Sequence, residues 1–150
     1  MLSRRYILFV VLWTLAMASA CNESLNGARN DKNRNVDRAE VEAFIGAPLP
    51  SSATNVQGEW QLGIDDLLML KFTMPETDIE PFLRELGFDL PLRNLYRPFF
   101  DSGEYGDWWR TDQLTKFQGG AINLPDKTYE LIVDTSSPDK VTLYLMVYER

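Results

Sequence analysis

The chain of 150 residues contains no histidine and one cysteine. Without histidine, the commonest general base and the commonest imidazole metal ligand are missing. With Cys21 alone, neither an intrachain disulfide nor a thiolate zinc site can be assembled. Basic residues are scarce as well: 15 Lys and Arg stand against 22 Asp and Glu, a net charge of −7. That balance disfavours nucleic acid and anionic lipid headgroups, both of which select basic surfaces. Also lacking is an apolar run of the roughly 20 residues that a membrane-crossing helix needs.

What is present begins at the N-terminus. Arg4 and Arg5 precede a 13-residue stretch, positions 6–18, in which only Thr14 is polar. This is the length of a signal h-region, and Ala18 and Ala20 supply the small residues of an export cleavage site. The apolar run ends in Ala18-Ser19-Ala20-Cys21, where the only cysteine stands. This arrangement resembles the bacterial lipoprotein precursor, whose lipobox is Leu-(Ala/Ser)-(Gly/Ala)-Cys. Ser19, Ala20 and Cys21 match it, and Ala18 replaces the usual Leu. The resemblance implies that Cys21 is multiply acylated and becomes the first residue, which anchors a protein durably where one acyl chain would not. In two-membrane bacteria, Asn22 rather than Asp leans toward the outer membrane; with one membrane the domain would face outward. The same letters also satisfy Ala-x-Ala cleavage by ordinary signal peptidase, which would leave Cys21 as a free thiol in an oxidising space.

Residues 1–20 therefore read as a signal peptide and 21–36 as a lipidated cysteine with a flexible tether. The tether is rich in Asn and charge and nearly devoid of large apolar groups. Such a segment cannot offset its own ordering entropy by burial. Loss of residues 1–20 removes Arg4 and Arg5 but no acid, so 13 basic face 22 acidic residues and the balance falls to −9.

Residues 37–150 form one domain, with enough chain for a single core. Asp37 and Glu40 have capping-box spacing ahead of Val41, Phe44 and Ile45, with Gly46 to end the helix. Val56, Trp60 and Leu62 alternate with Gln57, Glu59 and Gln61, a half-buried strand. Leu68, Leu70, Phe72 and Met74 share one face of the next strand. Ile79, Phe82, Leu83 and Leu86 fall at helical spacing after Asp78, a candidate cap. Residues 89–127 look irregular, with a short helix over 112–118 before Gly119-Gly120. The segments 129–134 and 141–148 read as a second hairpin. In the latter strand Val141, Leu143, Leu145 and Val147 oppose Thr142, Tyr144, Met146 and Tyr148, so both of its faces call for cover. The expected fold is α+β: an antiparallel sheet of about four strands in two hairpins, helices on one face, in the order α-β-β-α-loop-β-β.

The compositional anomaly is aromatic. Tyr96, Phe99, Phe100, Tyr105, Trp108, Trp109 and Phe117 make up seven of the fifteen aromatic residues beyond position 20. Together with Arg97 and Arg110 they suit a binding surface, because Trp, Tyr and Arg dominate interaction hot spots; alternatively they plug an open sheet face. The acidic pairs Asp65-Asp66 and Glu104 with Asp107 lack the geometry of glycosidase carboxylates. Residues 101–107 resemble a calcium loop only superficially, with Asp112 where a bidentate Glu belongs. The serines have no histidine to activate them, and Gly119-Gly120 lacks the lysine of a phosphate loop. The expectation is a non-enzymatic, lipid-anchored cell-envelope protein without metal or cofactor. Its binding surface would comprise Tyr96, Arg97, Tyr105, Trp108, Trp109 and Arg110, directed at another envelope protein. In the second reading Trp108 and Trp109 form a stacking platform for carbohydrate or another small ligand.

Overall fold

The computed structural model describes residues 36–63, 65–99 and 105–149. The leader, the lipobox-like Cys21 and the tether to position 35 lie outside the described residues, as do Phe100 and positions 101–104 of the calcium-like stretch 101–107.

The first helix, α1 (Arg38–Ile45), starts where its cap dictates: the Asp37 carboxylate accepts from the Glu40 N–H at 3.0 Å. It ends at Gly46, whose N–H still donates to the Glu42 carbonyl and whose left-handed φ of 71° then turns the chain out of the helix. β1 (Thr54–Gln61) and β2 (Leu67–Pro75) follow as an antiparallel pair. α2 (Ile79–Glu85) closes in a Schellman turn, with Phe88 N–H to Leu83 O and Gly87 N–H to Arg84 O. Asp78 does not cap this helix; its carboxylate instead receives the Ser52 hydroxyl at 2.5 Å. The chain then makes β3 (Arg93–Asn94), β4 (Phe117–Asn123), β5 (Lys127–Asp134) and β6 (Lys140–Glu149).

All strand pairs are antiparallel, in the order β1-β2-β6-β5-β4-β3. This corrects the expected α+β arrangement of four strands with a layer of helices. Among the described residues the sheet has six strands, the two α-helices span eight and seven residues, and the fold is mostly β. The missed strands lie inside the stretch that reads as irregular. Segment 112–118, expected as helix, is a single 3-10 turn at Thr111–Gln113 followed by β4.

The glycines of β4 explain why that strand is hard to see. A Cβ on Gly119 would stand 2.1 Å from the Tyr96 carbonyl oxygen, and one on Gly120 would press on Leu92 and Phe88 at 3.0–3.2 Å. Here glycine permits close approach of a crossing segment and is not a sign of a turn.

Two buried clusters lie on the two faces of the sheet. Leu68, Leu70 and Phe72 of β2, with Leu143 and Leu145 of β6 and Leu131 of β5, build the first. Val41 and Ile45 of α1 and Phe82 and Leu83 of α2 join it. The Tyr129 hydroxyl ties α1 down by donating to the Ile45 carbonyl at 3.1 Å. The second cluster gathers Met69, Ile132, Tyr144 and Met146 from the opposite face. β6 pairs on both sides and is covered on both faces, which its two apolar rows require.

Candidate functional site

Among the described residues no helix covers the second face, and the aromatic segment takes that place. Phe99, Trp108 and Trp109 lie over Ile132, Tyr144 and Met146, and Phe117 enters from β4. Trp109 is 0% exposed; its ring stands 5.3 Å from Tyr144 at 84°, 5.2 Å from Trp108 and 5.6 Å from Phe99. Edge-to-face contacts of this kind stabilise a core beyond the area they bury. Neither indole N–H of Trp108 or Trp109 has an acceptor among the described residues.

Cations fasten this cover. Lys71 of β2 donates to the Trp108 carbonyl at 2.8 Å and lies 5.1 Å from the Tyr144 ring centre. Burial lowers its pKa, with the Asp134 carboxylate partly opposing the shift. Arg97 donates to the carbonyls of Thr111 and Leu114 and stacks 4.2 Å over Phe117. Arg110 bridges Asp107 at 3.2 Å and Asp112 at 3.3 Å, and Asp112 foremost holds its charge in place. On the same face the Tyr148 hydroxyl donates to Glu130 at 3.0 Å. Burial pushes the Glu130 carboxyl up against the opposing pull of that hydrogen bond, and burial also raises Tyr148.

The residues expected to form a binding surface therefore divide. Trp108, at 5% exposure, and Trp109 belong to the core, so a stacking platform built on them is corrected: their rings already stack on protein. Arg97 is spent on two carbonyls of its own segment. Tyr96 is half-buried, with the Arg93 guanidinium 4.5 Å over its ring. Tyr105 packs half-buried against the second cluster, and Arg110 stays partly exposed between its two aspartates. Thus Tyr96, Tyr105 and Arg110 keep polar or aromatic surface to offer a partner.

A recess that the sequence did not suggest runs beside α2, with a volume of about 400 Å³. Ile79, Leu83, Leu90 and Leu92 line it, and Glu80 and Arg84, paired at 2.7 Å, stand at its rim. Its helical wall is legible as the α2 stripe; its other wall comes from the proline-bounded connection, whose path only the fold decides. Ser137 and Lys140 have a Ser-x-x-Lys spacing, but both side chains are exposed at the β5–β6 turn, outside either core. Asp66, from the first acidic pair, accepts the Gly63 N–H and so serves the β1–β2 turn. Among the described residues no three His, Cys, Asp or Glu converge to hold a metal ion. No described helix is long and apolar enough to cross a membrane.

No protein-family model, no curated protein and no solved structure matches the chain.

Proposed function

We propose that the chain is an exported, lipid-anchored cell-envelope protein whose domain binds another envelope protein and is not an enzyme. The domain is held at the cell membrane or outer membrane by Cys21 and faces the periplasm or extracellular space. One observation carries the reading. The only cysteine stands directly after a basic, apolar, small-residue leader, where an acylation signal would place it. A binding role is favoured over catalysis by the chain's lack of histidine and by the use of its half-buried ionisable groups. Lys71 donates to the Trp108 carbonyl and Tyr148 to Glu130, so these groups are engaged in fastening the second core and its surroundings.

For the contact surface we propose the outer side of the aromatic segment, with Tyr105, Arg110 and Tyr96 as contact residues. Tyr and Arg are the residue types that dominate interfaces, and the rigid aromatic core beneath them limits the entropy lost on binding.

Metabolic labelling with palmitate tests the anchor: the parent chain takes the label and a Cys21→Ser variant loses both label and membrane association. A Cys21→Ser chain that remains in the membrane fraction would count against lipidation. A photo-crosslinking residue at Tyr105 tests the surface, with one at Glu85 on α2 as the control. A defined adduct from position 105 alone supports it, and equal adducts from both positions contradict it.

A further inference from the structure

The recess beside α2 lies on the first-core side of the sheet, away from the aromatic cover and from the contact surface proposed above. Its floor is buried: Leu83 of α2, Val133 of β5 and Val141 of β6 all belong to the first cluster. Its walls stay open to solvent. Ile79, Leu90 and Leu92 are only partly buried against that cluster, so aliphatic surface remains to be covered. At about 400 Å³ the recess falls within the roughly 300–1,000 Å³ of small-molecule sites.

Two features of the lining select a class of ligand. No aromatic ring stands among the described residues that line the recess. A nucleobase or another planar ring would find no face to stack on, whereas a flexible aliphatic chain meets surface of its own kind.

The second feature is charge. The charged residues of the lining are Glu76, Glu80 and Arg84. Arg84 is committed to Glu80, with Nε and Nη2 both donating to Oε1, at 3.0 and 2.7 Å. The exposed carboxylate of Glu76 has neither an ion pair nor a hydrogen bond among the described residues. Lys116 and Lys140, at the starts of β4 and β6, are not part of the lining. One negative charge is therefore left uncompensated at an aliphatic hollow, and the acidic balance of the whole chain acts in the same direction. A ligand carboxylate is repelled there and an ammonium group is attracted. We propose that this recess binds an aliphatic primary amine, its chain laid over Leu83, Val133 and Val141 and its ammonium group beside Glu76. The site does not depend on the anchor or on the surface around Tyr105.

The test uses the full chain in lipid nanodiscs, with isoleucine, leucine and valine methyls labelled for NMR; empty discs supply the partition background. Butylamine, hexylamine and octylamine are titrated at pH 7. The expected result is saturable shifts at the methyls of Ile79, Leu83, Val133 and Val141, with Ile132 on the second face unmoved. Affinity should rise about three- to fourfold for each added methylene. Octanoate should bind several-fold more weakly than octylamine. Glu76→Gln should abolish that preference and Glu76→Lys should reverse it; the residue is exposed, so neither change threatens the fold. Absence of saturable shifts at these methyls, affinity independent of chain length, or equal binding of octanoate and octylamine by the parent chain overturns the proposal. A partner's lysine would offer the same ammonium on a shorter stem. Nα-acetyl-lysine methylamide binding as tightly as octylamine would give the recess to a protein and overturn the small-ligand assignment.

Discussion

The ammonium group of Lys71, on the middle of β2, donates to the main-chain carbonyl of Trp108, 2.8 Å away and 37 positions later in the chain. This bond joins the second face of the sheet to its aromatic cover. Replacing Lys71 by Met keeps the stem and removes the donor. Its loss costs about 1–3 kcal/mol locally, and relief of the buried charge offsets part of that in global stability. Faster amide exchange at Trp108 and Trp109 is expected, with β2 and β6 unchanged. Unchanged exchange at both tryptophans would show that the bond does not hold the cover.

Trp109 is fully buried among Tyr144, Trp108 and Phe99. Trp109→Ala should cost about 3–5 kcal/mol, as for other large-to-small changes at aromatic core positions. Trp109→Phe should cost less, since the ring contacts largely persist. Chemical denaturation reads both. A Trp109→Ala domain as stable as its parent would return this residue to the list of surface candidates.

Gly119 and Gly46 differ in kind. At Gly119 an alanine methyl would meet the main-chain carbonyl of Tyr96, which cannot swing aside as a flexible side chain would. Gly119→Ala should therefore cost at least about 1–3 kcal/mol as overpacking and displace β3. At Gly46 a Cβ meets nothing within 4 Å, and only its φ of 71° resists. Gly46→Ala should cost about 1–2 kcal/mol and leave the sheet untouched. Thermal melts with amide exchange at Arg93 and Asn94 separate the two.

Glu130 supplies a pH dependence whose sign is fixed. Burial holds its carboxyl above the ordinary 4.5 in the folded state. Between that ordinary value and the raised one, the folded protein binds more protons than the unfolded chain. Glu130's contribution is therefore full below the ordinary value and is lost as pH rises through the raised one. Glu130→Gln mimics the protonated form and can still accept from Tyr148. It should raise the melting temperature at pH 7, with the gain shrinking toward pH 4. A gain that grows on acidification would reverse the assignment.

Where side-chain periodicity and capping chemistry were local, the fold was legible in the sequence. The alternating faces of β2 and β6 and the Asp37 and Gly46 caps of α1 all stand where the residues place them. What depended on distant partners was not legible. β3 exists because Arg93 and Asn94 meet Gly119 and Gln118, and β4 tolerates two glycines because Tyr96, Leu92 and Phe88 crowd them. These contacts turned a presumed four-stranded α+β protein into a six-stranded, mostly β one. The aromatic segment illustrates the same division: its composition marks it as special, but only the uncovered face bearing Tyr144 and Met146 decides that both tryptophans turn inward. The row Tyr144, Met146 and Tyr148 on β6 was the local signal that a cover was needed.

Acylation of Cys21 is read directly from the mass of the mature N-terminal peptide. The mature chain is expected to begin at Cys21 and to be heavier than its sequence by two or more acyl chains carried on that residue. A chain that begins at Ser19, or one that begins at Cys21 with an unmodified thiol, would contradict it.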